Sequence, residues 1–144
     1  MKKQYLFHKD GIIPNYQCVW VFGSNLAGRH GAGAAKIAKD IFKAESGVGK
    51  GITGNSFAIA TKGHKLEVLG IDEIKKQIDD FIDYATFNKS KIFFVTRVGC
   101  GLAGYLNQQI APLFLNAPTN CEFPQEWEPY LSSLEKCKRI TLDI

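Results

Sequence analysis

The 144-residue sequence has no run of the roughly 18 apolar residues that a membrane-spanning helix needs, so no membrane partner is expected. Its four cysteines, Cys18, Cys100, Cys121 and Cys137, form no C-x-x-C pair and no zinc-type spacing. That excludes a recognisable metal site and fits free thiols in a reducing cytoplasm. The first ten residues open with two lysines, as a signal peptide would, but reach His8-Lys9-Asp10 after only Leu6-Phe7. A dense basic block is also missing. Lys2-Lys3 and Lys136-Cys137-Lys138-Arg139 are the basic clusters, and the net charge is only +4, so there is no strong nucleic-acid signal. Internal repeats, linkers and low-complexity tracts are absent. What is present, 45% hydrophobic and 22% charged residues, describes one ordinary globular domain over residues 1–144.

The apolar residues fall into runs that alternate between two kinds. Tyr5-Leu6-Phe7 reads as a short edge strand, closed by a turn at Asp10-Gly11. Cys18-Val19-Trp20-Val21-Phe22 has no polar alternation and so suits a strand covered on both faces. Residues 34–42 place Ala34, Ile37, Ala38, Ile41 and Phe42 on one helical face. Asn55 to Thr61 reads as a further strand. Ile71, Ile74, Ile78, Phe81, Ile82 and Ala85 follow helical spacing up to about Asn88, with Asp72 and Glu73 suited to the first turn. Lys91 to Arg97 reads as a buried strand, and Asn107 to Leu115 as a helix with Asn107 as its N-cap. The tail from Thr119 reads as irregular, with Arg139 to Ile144 as a closing strand. This alternation predicts an α/β fold of three α/β/α layers, with a mostly parallel sheet and helices on both faces.

Ligands in such sheets sit beyond the carboxyl ends of the strands. Three features fall at that edge: the loop Gly23 to Gly33, the strand end Thr61-Lys62, and the loop Gly99 to Gly104. Glycine lets a backbone approach a ligand closely, and a following helix offers free N–H groups to an anion. The third glycine-dense segment, Gly47 to Gly54, does not make a phosphate-binding P-loop, because Gly51 stands where Ser or Thr is required. It reads instead as a flexible loop or a frayed helix.

Together these stretches resemble the macro domain, the ADP-ribose-binding α/β fold. The likeness is nearest to the branch that includes terminal ADP-ribose protein glycohydrolase. It rests on Gly99-Cys100-Gly101-Leu102 after a buried strand, on Thr61-Lys62, and on Gly31-Ala32-Gly33 at a helix entry, and it spans residues 18 to 115. Phe22-Gly23-Ser24-Asn25-Leu26-Ala27-Gly28-Arg29-His30-Gly31 is also similar to a group of bacterial and phage proteins. The resemblance implies that Gly99, Cys100, Gly101, Leu102, Ala103, Gly104 and Tyr105 wrap a diphosphate and distal ribose. It implies that Gly31, Ala32 and Gly33 meet the same diphosphate from the helix side, and that Asn25 reaches a ribose hydroxyl. Lys62 stands where the glycohydrolase branch carries a lysine that attacks the sugar. Such an amine needs a lowered pKa, for which Arg29, His64 and Lys65 are candidate neighbours; the plainer role is pairing with phosphate.

One departure weighs against catalysis. The branch has an acidic residue directly after Gly-Cys-Gly-Leu, and this chain has Ala103, so the general acid–base is missing there. Arg29 and His30 are candidate phosphate donors. Cys100 reads as a packing residue rather than a nucleophile, because no His/Asp partner is evident. Tyr105 and Phe22 are candidates either to stack on an adenine or to fill the core, and the Trp127 region either forms a lid or covers the sheet edge. The expected function is binding of ADP-ribose or a related nucleotide diphosphate, free or on an ADP-ribosylated macromolecule, with no cofactor and with ADP-ribosyl hydrolysis as an activity to test. The alternatives are a non-catalytic module that sequesters a nucleotide signal, for example in phage–host conflict, and an interaction or virion-associated component with a vestigial pocket.

Overall fold

In the computed structural model, residues 4–132 are described. Six strands form one sheet: β1 (Leu6–His8), β2 (Val19–Asn25), β3 (Gly51–Thr53), β4 (Ser56–Lys62), β5 (Phe93–Val95) and β6 (Cys121–Pro124). Their order is β1-β6-β5-β2-β4-β3. Every pair is parallel except β3–β4. The helices are α1 (Gly33–Ile41), α2 (Ile71–Phe87) and the short α3 (Asn107–Ile110).

The two faces of the sheet explain why β2, β4 and β5 lack polar alternation. Val19, Val21, Phe57, Ile59, Phe93 and Val95 project into the larger core, where Ile74, Ile78, Phe81, Ile82 and Ala85 of α2 meet them. Trp20, Phe22, Ala58 and Phe94 project into a second core, closed by Ala38 of α1 and by Phe42. The sheet is thus covered on both sides, as the three-layer expectation requires. Each fully buried large side chain contributes about 1.5–3 kcal/mol relative to exposure. The second core is an aromatic column. Phe42 stacks on Trp20 at 4.9 Å, Trp20 on Phe94 at 5.4 Å, and Phe94 on His8 at 3.7 Å, linking α1 to the edge strand β1.

Several expectations are corrected. The segment Gly47 to Gly54 contains β3, which turns at Thr53–Ser56 to run antiparallel to β4. The strand expected over Lys91–Arg97 shortens to Phe93–Val95. The N-cap of α3 is Leu106, not Asn107; the Gln109 side chain accepts a hydrogen bond from the Leu106 N–H at 2.8 Å. The expected helix to Leu115 tightens into a 3-10 turn over Ala111–Phe114, where Pro112 has no N–H to continue an α-helical ladder. The tail from Thr119 is not all irregular, because β6 fits between β1 and β5. Trp127 is not a lid: it is fully buried, and its Nε1–H donates to Asn107 Oδ1 at 2.9 Å. The closing strand expected over Arg139 to Ile144 lies outside the described residues. No helix among the described residues is long and apolar enough to cross a membrane.

Candidate functional site

The carboxyl ends of β1, β2, β4 and β5 open onto one cleft of about 650 Å3. That volume lies within the range of small-molecule sites. The glycine-rich loop after β2 forms one wall. Ser24 and Asn25 mark a register shift against β4, which sets Asn25 opposite Lys62. The Asn25 side chain then folds back on its own loop: Oδ1 accepts from the Arg29 N–H at 3.0 Å, and Nδ2 donates to the Arg29 carbonyl at 2.9 Å. Asn25 therefore shapes the wall, with one of its two amide N–H groups and its oxygen engaged within the loop. Arg29 is exposed and lines the cleft, as do Gly31, Ala32 and Gly33.

The start of α1 is bare. Ala32 is its N-cap and supplies no side-chain hydrogen bond, and no acid occupies the first turn. The first-turn N–H groups and the positive end of the helix dipole are therefore available to an anion. The opposite wall is the loop after β5. It is held by bonds from the Cys100 N–H to the Arg97 carbonyl, the Gly104 N–H to the Gly101 carbonyl, and the Tyr105 N–H to the Gly99 carbonyl, at 2.9–3.1 Å. The N–H groups of Gly101, Leu102 and Ala103 have no acceptor among the described residues, and all three residues line the cleft. Such a run of free amides suits an anion.

Three cationic side chains join them. Lys62, at the end of β4, is half-buried in the lining and has no carboxylate within 4.0 Å among the described residues. Arg97 donates from Nε to Asn107 Oδ1 at 3.2 Å and from Nη1 to Asp10 Oδ2 at 3.4 Å. Arg29 completes the set. Asp10 is the carboxylate of the lining among the described residues, and Trp20, Ala34, Ala35 and Ile37 give the lining an apolar stretch at α1. Cys100 lines the cleft with a half-buried thiol whose pKa burial pushes up, against partial opposition from Arg97. A protonated thiol is a poor nucleophile. No group of three or more His, Cys, Asp or Glu side chains gathers as a metal site among the described residues.

The structure thus brings Asn25, Arg29, Gly31, Ala32, Gly33, Lys62, Gly99, Cys100, Gly101, Leu102 and Ala103 to one cleft. It leaves six of the candidate residues out. His30 turns inward and is buried, with Nε2 at 3.1 Å from the carbonyls of both Glu45 and Val48, so it is not a phosphate donor. Gly104 is exposed and outside the lining. Tyr105 donates its hydroxyl to the Leu69 carbonyl and ties the loop to the turn before α2. Phe22 is core. His64 and Lys65 are exposed and outside the lining.

Asp10, Trp20, Thr96 and Arg97 are lining residues that the sequence reading did not list. Arg97 was within reach, as the residue ending the strand before Val98-Gly99. Asp10 needed the direction of β1. Only because β1 runs parallel to β6 does the turn after His8 fall at the ligand edge.

No family model and no curated protein matches the sequence. Among solved structures, one described as a protein of unknown function from Bacteroides thetaiotaomicron is similar in fold. Its TM-score is 0.58 at 15% identity, and the match covers 85% of this chain and 98% of that one. The α/β sheet with helices on both faces is therefore shared with a solved structure.

Proposed function

We propose that the chain binds ADP-ribose, or a closely related nucleotide diphosphate, without turning it over. The observation that carries this reading is the convergence of two sets of free backbone amides, at the start of α1 and at Gly101–Ala103, on one cleft with Lys62, Arg97 and Arg29. Two phosphates bridged between two such walls satisfy both sets. The half-buried apolar stretch of Ala34, Ala35 and Ile37 suits the flat face of a base. Asp10, a pure acceptor when ionised, suits an exocyclic amine beside it.

Binding without turnover is favoured because Ala103 offers no proton-transferring group, and the lining carboxylate Asp10 is already paired with Arg97. General acid–base chemistry needs such a group within reach of the leaving oxygen. In this reading Lys62 is a phosphate partner, not a nucleophile.

Calorimetric titration with ADP-ribose, run beside ADP, NAD and AMP, tests the proposal. ADP-ribose should bind most tightly and be recovered unchanged. Lys62→Ala should weaken it about tenfold or more, the worth of one charge-assisted bond. Silence with all four nucleotides would remove the ligand reading in favour of a vestigial pocket. Release of free ADP-ribose from a modified protein, lost on Lys62→Ala, would instead make the chain a hydrolase.

A further inference from the structure

The glycine-dense segment 45–51 has no part in the cleft lining, yet it is packed directly behind the glycine-rich wall. A Cβ placed on Gly49 would lie 1.9 Å from the Asn25 carbonyl oxygen, and one on Gly28 would lie 2.3 Å from the Gly47 carbonyl carbon. The two backbones touch with no side chain between them. They are also bonded: the Gly47 N–H donates to the Gly28 carbonyl at 3.0 Å, and the Ser24 hydroxyl donates to the Gly49 carbonyl.

His30, like Ser24, sends its side chain from one loop to the other. It lies between Arg29 and Gly31, both of which line the cleft. Its ring rests edge-on against Phe22, with centroids 5.3 Å apart and planes at 81°. Nε2 lies 3.1 Å from two carbonyls, Glu45 and Val48. Carbonyls only accept, so Nε2 carries the proton and is shared between them. Nδ1 is buried with no hydrogen-bond partner among the described residues.

We propose that His30 is the positioning residue of the cleft: by pinning its loop to the carbonyls of Glu45 and Val48, it fixes Arg29 and the Gly31–Gly33 entry to α1 in the shape that accepts the ligand. The segment 45–49 is then a buttress, which explains a run of glycines that satisfies no phosphate-binding motif. His30 acts through the loop and touches no ligand. The inference rests on the cleft being the ligand site, but the latch itself is observable without ligand.

Three variants test it: His30→Gln, which keeps an amide N–H at about the reach of Nε2; His30→Asn, one bond shorter; and His30→Leu, with no donor. Amide hydrogen exchange is followed in the free protein, and affinity for ADP-ribose is titrated in parallel. Exchange at residues 28–33 and at Gly47 should rise at least tenfold in His30→Leu and His30→Asn, with α2 and β4 unchanged, and His30→Gln should restore most of the protection. ADP-ribose affinity should fall at least tenfold and recover in the same order. Unchanged exchange in His30→Leu, or Gln no better than Asn, overturns the latch. If His30→Leu does not fold, the Gln–Asn comparison decides alone. If the wild-type protein binds no ADP-ribose, the ligand reading fails, while the exchange data still decide whether His30 holds the loop.

Discussion

At the residue scale, one glycine at the tip of the loop after β5 and another packed behind the loop after β2 should behave in opposite ways. Gly101 is exposed at the tip of the loop after β5, and a Cβ there meets nothing within 4 Å. Gly101→Glu should leave the melting temperature nearly unchanged, since surface changes of this kind fall within about 0.5 kcal/mol. It should nevertheless abolish nucleotide binding in calorimetry, because a carboxylate joins the anion-accepting amides. Gly49→Ala has no such freedom, with a backbone oxygen at 1.9 Å. It should cost about 3 kcal/mol or more in urea denaturation, at the upper end for point mutants.

His8 makes a pH prediction. Burial lowers its pKa below the ordinary 6.5, although Glu122 at 3.7 Å opposes the shift. The unfolded chain then takes up the proton more readily than the folded one. Stability is therefore lost as pH falls from about 6.5 toward the lowered value, and the loss levels off below it. His8→Phe keeps the stack on Phe94 and removes the titration, so the fall in melting temperature between pH 7.5 and 5 should become shallower. That His8 was structural could be guessed from its place near an edge strand. That His30 was structural could not, because the sequence shows Arg29-His30 only as a pair of basic residues inside a glycine-rich loop. The direction of a loop side chain is decided by what lies behind it, here a segment 15 to 18 residues further on.

At the element scale, β4 shows how a helix side chain can stand in for a strand. β3 pairs with β4 only over Ser56–Ala58. Beyond that point the edge of β4 is taken by Gln77 of α2, whose Oε1 accepts from the Ala60 N–H at 2.6 Å and whose Nε2 donates to the Ala60 carbonyl at 2.7 Å. Both backbone groups are buried. Gln77→Leu would leave both unsatisfied and should cost about 2–6 kcal/mol, read from the urea midpoint, from about 1–3 kcal/mol for each stranded group. The loss should be accompanied by faster amide exchange at Ala60. The helix face itself was legible, since Ile74, Ile78, Phe81, Ile82 and Ala85 recur at helical spacing and all are buried. Gln77 is buried on that same face, but the spacing of the apolar residues does not mark it. Strands β3 and β6 were missed because three or four residues with glycine, proline or polar neighbours carry too little periodicity to register.

At the scale of the whole molecule, β6 and the turn after it join the C-terminal part of the described chain to the cleft. Trp127 packs against Phe114 and Phe123 and donates to Asn107, which also accepts from Arg97 of the cleft. Trp127→Ala should remove about 3–5 kcal/mol, as core truncations of this size do. The urea midpoint should drop at an unchanged m value, and the free Asn107 oxygen should loosen Arg97.

The sequence by itself determined the layered α/β architecture and which loops meet. Uninterrupted apolar strands must be covered on both faces, and successive parallel strands must return their carboxyl ends to one edge. Only the tertiary structure decided which strand lies beside which, and so which single residues join the site. Insertion of β6 between β1 and β5 makes β1 parallel and carries Asp10 to Arg97, 87 positions away. Close packing of the Gly47–Gly49 backbone turned His30 inward. Those outcomes depend on contacts between chain segments that are distant in sequence, and no local periodicity records them.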